Sequence, residues 1–205
     1  MTEQMNKPAI SSISKTRRMA GLAIFSAIIV VLTIVCTFIR FGPFSITLAL
    51  APIIIGAAMY GKGAGAYLGG VMGLVVLITG LLGWDGGTVM LLMSENALAT
   101  VLLCVVKTVA AGFVAGWLYE IIAKKNTLAA VITAGIVCPI VNTGLFILGM
   151  IVFFFSTLQS WAGGQAVLYY IIVGLTGINF LVELAVNMIL ASGITRIIKA
   201  GKHTS

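Results

Sequence analysis

The sequence predicts an all-α membrane protein, a bundle of six transmembrane helices with both termini on the cytoplasmic side. Three observations predict this fold class. Of the 205 residues, 60% are hydrophobic and only 8% are charged, whereas a soluble domain carries about 25% charged residues. Glycine occurs 24 times, which is typical of closely packed membrane helices. Uncharged segments long enough to cross a bilayer, about 20 residues each, recur along the chain.

Polar segments at the two ends delimit one membrane domain. A polar N-terminal tail covers residues 1–18, the membrane domain covers residues 19–199, and a second tail covers residues 200–205. Both tails carry basic residues and are predicted to be cytoplasmic.

Six spans are predicted in chain order: residues 19–39, 44–60, 64–82, 97–122, 128–155 and 166–198. Pro52 lies inside the second span and is expected to bend it. The fifth span contains Pro139, and the last two spans are longer than a bilayer requires, so they are expected to tilt, kink or project beyond it. Residues 88–95 are mostly apolar and ambiguous, and they could dip into the membrane. Residues 156–165 are predicted to form a loop before the last span.

The basic residues give the orientation of the bundle. All 12 Lys and Arg residues except Arg40 and Lys107 fall on the side of the two termini. Cytoplasmic loops of membrane proteins carry an excess of Lys and Arg, so this side is predicted to be cytoplasmic. The net charge of +7 is thereby explained by orientation. No basic patch is interleaved with exposed aromatic residues, so a nucleic-acid partner is not predicted.

Several enzyme classes are excluded by missing residues. Cys36, Cys104 and Cys138 lie in apolar runs, which is typical of packing residues rather than of a disulfide or metal framework. The single histidine, His203, lies in the terminal tail and cannot act within the membrane. No Ser or Thr follows Lys62 as a nucleotide-binding P-loop requires, so the chain is not predicted to hydrolyse ATP. We expect neither an enzyme nor a bound cofactor.

Small residues recur at four-residue spacing and predict close helix packing. Four glycines share one face of the third span, and two more form the same motif in the fourth: Gly61, Gly65, Gly69, Gly73, Gly112 and Gly116. Ala23 and Ala27 form an AxxxA pair in the first span. This pair has two interpretations, internal packing or docking on another membrane subunit.

A few polar residues lie deep within the predicted spans, where they are costly and usually functional. Lys107, Asn142, Asn179 and Glu183 are predicted to lie near one depth, and Asn187 continues the helix face of Asn179 and Glu183. The simplest interpretation is a polar site between the fourth, fifth and sixth spans. The structural alternative is a Lys107–Glu183 ion pair, with the asparagines forming interhelical hydrogen bonds.

Other polar and aromatic residues lie near the predicted outer face. Arg40 is either a snorkelling anchor or a ligand for an anionic group. Glu95 and Asn96 either cap the fourth helix or line the pocket entrance. Trp84 and Trp161 are expected to anchor the interface or to contact a solute as part of a lid.

Three segments together resemble a known family. These are the AxxxA pair, residues 40–48 (RFGPFSITL) and residues 56–66 (GAAMYGKGAGA). With the six-helix layout, they resemble the substrate-binding S-component of energy-coupling-factor (ECF) vitamin transporters, over residues 17–199. The resemblance implies a multi-pass protein of the cell membrane that captures a vitamin from outside. It also implies a transmembrane coupling subunit and two cytoplasmic ATPase subunits, which use the ATP.

The resemblance also assigns roles to residues. It gives Ala23 and Ala27 the role of a docking face for the coupling subunit. It implies a substrate-binding pocket formed by six residues: Arg40, Asn96, Lys107, Asn142, Asn179 and Glu183.

The identity of the vitamin is less constrained. Residues 41–50 and 139–144 are most similar to the pantothenate-type branch. A carboxylate would suit Arg40 or Lys107 through charge-assisted hydrogen bonds, but folate, niacin, biotin and lipoate also carry one. Cationic thiamine is less favoured. The order of expectation is pantothenate, then folate or another vitamin, and the alternative function is a stand-alone channel or ion-coupled carrier.

Overall fold

The computed structural model describes residues 15–41, 44–45, 48–177, 180–189 and 193, with the backbone alone at 40–41, 44–45 and 175–176. The elements in chain order are α1 (Lys15–Thr37), β1 (Arg40–Phe41), β2 (Phe44–Ser45), α2 (Leu50–Tyr60), α3 (Lys62–Leu81), α4 (Thr88–Ile122), α5 (Thr127–Phe153), α6 (Phe155–Ala162), α7 (Val167–Tyr169), a π-helical segment (Tyr170–Gly177) and α8 (Phe180–Ile189). The described chain is therefore helical, apart from the short antiparallel pair β1–β2.

Four of the described helices, α1, α3, α4 and α5, are long and apolar enough to cross a membrane. They correspond to the first, third, fourth and fifth predicted spans. The shorter apolar helices α2 and α8 lie within the second and sixth predicted spans.

Two predictions for the second span are wrong, its start and the bend at Pro52. The prediction begins the span at residue 44, but the backbone there forms β2, and α2 begins only at Leu50. Pro52 consequently lies in the first turn of α2 rather than in its interior. Backbone N–H groups in a first turn have no intrahelical acceptor, so proline is tolerated there without a kink.

The segments at residues 88–95 and 156–165 also differ from prediction. Residues 88–95 are the first part of α4, which is interrupted at Asn96 (φ −153°, ψ 94°). The predicted loop contains α6, and the fifth span ends at Phe153 because Phe154 leaves the helical conformation (φ −135°, ψ 36°). Leu158 and Trp161 place an apolar face on this short helix, and Trp161 packs against a buried cluster that includes Met150 and Phe154. That packing explains why the segment is helical.

Helix α2 lies at the centre of the described bundle and packs against α1, α3, α4 and α5. It is apolar on all sides, as expected of a helix with no lipid-facing or water-facing stripe. The surrounding core combines residues of five helices: Ile29, Leu50, Ile53, Leu68, Ala111, Ala134 and Cys138.

The glycine faces of α3 and α4 pack against each other, as the four-residue spacing predicts. A methyl group on Gly65 would overlap the carbonyl oxygen of Gly112, and one on Gly69 would overlap the carbonyl oxygen of Thr108. A methyl group on Gly73 would lie 2.8 Å from the carbonyl oxygen of Cys104. The two backbones therefore touch along their length, and no larger side chain fits between them.

The turn between α2 and α3 joins four helices at one end of the bundle, here called the Lys62 end. Gly61 occupies a positive φ of 92°, which favours glycine. The Lys62 N–H donates to Glu120 Oε1 at 2.8 Å, and Arg18 donates to the Tyr60 carbonyl at 3.3 Å. This turn fixes the ends of α1, α2, α3 and α4 relative to one another.

Candidate functional site

One face of α5 carries the residues around which the candidate site is built. Cys138, Asn142 and Phe146 follow one another at four-residue spacing and therefore share this face. Cys138 and Asn142 are buried, and Phe146 is partly buried. Each step along the face rises about 6 Å. The face therefore presents a thiol, an amide and an aromatic ring at three successive levels.

Lys107 of α4 lies at the Phe146 level. Its Nζ atom stands 4.5 Å from the centre of the Phe146 ring, in cation–π geometry. One turn away, a methyl group on Gly149 would overlap the Leu103 side chain. These contacts place α4 and α5 in antiparallel register, so that Lys107 points to the inside of the bundle rather than to lipid.

Glu183 of α8 lies near the Cys138 level. Its side chain is buried, and it lies close enough to interact electrostatically with both Cys138 and Lys107. One turn further along α8, Asn187 Nδ2 donates to the Gly135 carbonyl of α5 at 3.3 Å. The interhelical hydrogen bond expected of the asparagines is thereby confirmed for Asn187, which makes this residue a structural link.

Asn142 lies midway between the Lys107 and Glu183 levels of α5. The side chain is only 6% exposed, and its Oδ1 atom accepts no hydrogen bond from any described residue. A buried acceptor without a donor costs about 1–3 kcal/mol, so such an atom is a candidate for a ligand contact. The structure thus brings together three of the predicted site residues, Lys107, Asn142 and Glu183, from three helices.

Asn96 occupies a different place. Asn96 is exposed and lies at the interruption of α4. Its Oδ1 atom accepts a hydrogen bond from the Ala99 N–H at 3.0 Å. The helix-capping interpretation is therefore confirmed for this residue. Lys107 is eleven residues further along, a rise of about 16 Å, so Asn96 does not join the Lys107 cluster. A role at a pocket entrance stays a prediction.

Two predicted site residues cannot be placed. The backbone of Arg40 forms part of β1, but its side chain lies outside the described residues, as does Asn179. Their assignment to the site remains based on sequence alone.

The opposite end of the bundle, here called the Trp84 end, is organised by polar contacts. Asp85 accepts the N–H groups of Gly87 at 3.0 Å and Val89 at 2.8 Å, which caps the start of α4. The Thr157 hydroxyl of α6 donates to Glu95 Oε1 just before the α4 interruption. Trp84 packs against Phe38, with ring centres 5.8 Å apart.

Sequence reasoning missed the Glu95–Thr157 bond and the Phe146 contact. The Glu95–Thr157 hydrogen bond joins residues far apart in sequence, and no sequence pattern in either segment predicts it. The ring was detectable in principle, because Phe146 follows Asn142 by one helical turn, but apolar residues are too common in membrane spans to attract attention.

The AxxxA pair lies on the surface of the described bundle. Ala23 and Ala27 are exposed, whereas the opposite face of α1 buries Ile29, Thr33 and Cys36. Packing inside the described bundle therefore does not explain the pair.

Comparison with known proteins assigns the chain to a family. The sequence model of the ECF transporter substrate-specific component matches residues 17–197. The chain belongs to this family. It is therefore a membrane-embedded transport protein and not an enzyme, and the family implies a vitamin substrate and a partner ECF module.

A curated relative gives more detail about the branch. The chain is 28% identical over 202 residues to the pantothenic acid transporter PanT of Lactococcus lactis subsp. cremoris, strain MG1363. The similarity covers 94% of this chain and 98% of the relative. It supports the resemblance of this S-component to the pantothenate-type branch.

Proposed function

We propose that this S-component captures pantothenate at the outer face of the cell membrane and delivers it by docking on a coupling subunit. Two cytoplasmic ATPase subunits supply the energy by hydrolysing ATP. The observation that carries the proposal is the similarity to a pantothenic acid transporter over 94% of the chain. Asn142 and Glu183, which are buried, and Lys107, which is partly buried, add chemical support, since they offer a cation and acceptors to a polar anionic solute.

The proposed binding residues divide into two sets. Lys107, Asn142 and Glu183 form the inner part of the site. Arg40, Asn96 and Asn179 are proposed as further contacts, with Arg40 and Asn96 at the entrance. A carboxylate in a low-dielectric site gains most from charge-assisted hydrogen bonds, and Lys107 is the described cation suited to provide them.

The proposed topology has six spans with both termini in the cytoplasm, the tails at residues 1–18 and 200–205, and the membrane domain between them. Large apolar side chains on the surface support a lipid surrounding, for example Leu98 at 72% and Ile189 at 75% exposure. Under this topology the Lys62 end is cytoplasmic and the Trp84 end is external.

The proposed partner interface is the exposed face of α1 around Ala23 and Ala27. Two features support it: small residues allow another helix to approach closely, and these positions are exposed in the described bundle. The neighbouring residues Ile24 and Ile28 make the same side of α1 apolar.

Thermal unfolding of the purified full-length chain with a panel of vitamins tests the proposal. The panel contains pantothenate, folate, niacin, biotin, lipoate and thiamine. A vitamin present at 100 times its Kd stabilises the folded state by about 2.7 kcal/mol, and we expect this for pantothenate. No stabilisation by any vitamin would contradict vitamin capture, and stabilisation by another vitamin alone would contradict pantothenate as the substrate.

A liposome experiment separates the proposal from a stand-alone channel or carrier. Liposomes that contain this chain alone are expected to show no pantothenate accumulation. Uptake by the isolated chain would favour the channel or carrier, whereas uptake that requires an ATPase partner would exclude it.

A further inference from the structure

We infer that the solute lies along the Cys138–Asn142–Phe146 face of α5 in one fixed direction, with its carboxylate at Lys107 and its hydroxyl end at Glu183. This inference rests on the proposed function and specifies how each end of pantothenate is recognised. It follows from the order of the three polar groups along α5 and from their different hydrogen-bonding capacities.

The first step concerns the order of the groups. Lys107 is at the Phe146 level, and Asn142 is one turn away. Glu183 is one turn from Asn187, whose side chain bonds to the Gly135 carbonyl, and it therefore lies near the Cys138 level, one further turn along α5. The two outer levels are about 12 Å apart along the helix axis. The three residues therefore follow one another along α5, in a row from Lys107 through Asn142 to Glu183.

The second step concerns donors and acceptors. The Lys107 ammonium can only donate, whereas an ionised Glu183 carboxylate can only accept. Between them, Asn142 Oδ1 is a buried acceptor that no described residue supplies with a donor. From the Phe146 level to the Cys138 level, the row therefore consists of one donor, Lys107, followed by two acceptors, Asn142 Oδ1 and Glu183.

The third step matches this row to the solute. Pantothenate is a chain with a carboxylate at one end, an amide in the middle and hydroxyl groups toward the other end. A carboxylate beside Glu183 would be repelled. A hydroxyl oxygen accepts from Lys107 less strongly than an anion does, and an amide N–H cannot accept at all. Only one direction pairs the carboxylate with Lys107, the amide N–H with Asn142 Oδ1 and a hydroxyl with Glu183.

Pantothenol, in which the carboxylate of pantothenate is replaced by an alcohol, tests this direction. We expect the wild-type protein to bind pantothenate about 10-fold to 100-fold more tightly than pantothenol, since a hydrogen bond to a charged group is lost. Lys107→Met should reduce this preference to about threefold or less. Glu183→Gln should weaken the binding of both compounds and preserve the ratio. Ser26→Ala, which removes a hydroxyl bonded within α1, serves as the control with unchanged affinities.

A second pair of measurements keeps the inference testable if Lys107→Met does not fold. An analogue methylated on the amide nitrogen cannot donate to Asn142, so the wild type should bind it at least about 5-fold less tightly than pantothenate. Asn142→Ala should bind the two compounds with similar affinity. An undiminished preference in this variant would overturn the inference.

The outcomes separate the direction of binding from the proposed function. Failure of the folded wild type to bind pantothenate would contradict the proposed function, and the inference with it. A different result would overturn the inference and leave the proposed function standing. In that result the wild type binds pantothenate normally and Lys107→Met still prefers pantothenate to pantothenol, whereas Arg40→Met or Glu183→Gln loses this preference.

Discussion

Gly65 of α3 and Gly112 of α4 face each other so closely that a methyl group on either would overlap the backbone carbonyl of the other. This reciprocal contact is one of the tight backbone contacts between α3 and α4. It holds α4, which carries Lys107, at a fixed distance from α2 and α3 at the centre of the bundle.

Enlarging Gly65 should therefore destabilise the fold. Gly65→Val is expected to lower the free energy of unfolding by at least about 1–3 kcal/mol, because neither backbone can move away without separating the helices. The midpoint of thermal unfolding in detergent measures the effect. Gly63→Val is the matched control in the same helix, since nothing lies within 4 Å of a methyl group added at Gly63. Equal stability of the two variants would contradict the packing described.

Substitution of the α1 surface should separate transport from binding. Ala23→Trp and Ala27→Trp are expected to abolish vitamin uptake by the complete transporter and to leave pantothenate affinity within about twofold of wild type. Pantothenate affinity should be kept because both alanines are exposed on α1, whereas Lys107 belongs to α4. Leu98→Trp, at an exposed position of α4, is the control and should retain uptake. Loss of binding in the alanine variants would show instead that this face supports the fold.

Removal of either charge from the site should weaken binding. Lys107→Ala and Glu183→Ala are each expected to reduce pantothenate affinity about 10-fold or more, because each removes a charged hydrogen-bonding group from a buried site. Equilibrium dialysis of the purified proteins measures the change. Normal folding and normal affinity in both variants would exclude this group as the solute site.

The contact between α4 and α6 should contribute to stability at the Trp84 end. Thr157→Val keeps the shape of the side chain but removes the donor to Glu95, and we expect a loss of about 1 kcal/mol. Ser156→Ala, at an exposed neighbouring position, is the control. A double-mutant cycle with Glu95→Gln tests the pairing directly, and strictly additive effects would show that the two side chains are not coupled.

The cap of α5 provides a further local test. Asn126 Oδ1 accepts the N–H groups of Leu128 at 2.9 Å and Ala129 at 3.1 Å. Asn126→Ala is expected to cost about 1 kcal/mol of folding free energy, whereas Asn126→Ser should restore most of it. A serine variant no more stable than the alanine variant would argue against capping by this side chain.

The sequence predicted those features that depend on local periodicity. Span length follows from uncharged runs, so the sequence predicts both ends of α1, α3 and α5 within a few residues and, for α4, the part that follows Asn96. The glycine spacing in α3 correctly indicates a close helix contact. Features that depend on tertiary packing are not predicted by the sequence pattern. The start of α2 at Leu50 and the helical conformation of α6 depend on neighbours distant in sequence.

The sequence predicts which polar residues belong to the candidate site, but not which of them pair with each other. Lys107, Asn142 and Glu183 were recognisable because polar residues are rare in membrane spans. Asn187 carries the same signal but forms a structural bond to Gly135, a distinction that requires the partner helix to be known. The role of Phe146 likewise becomes recognisable only when its contact with the Lys107 ammonium is known.

The most direct test of the central claim is mass spectrometry of the small molecule that copurifies with the full-length chain from cells supplied with all water-soluble vitamins. We predict that pantothenate is released on denaturation in a 1:1 ratio to the protein. Its absence from a folded preparation, or stoichiometric release of a different vitamin, would contradict pantothenate capture by this S-component.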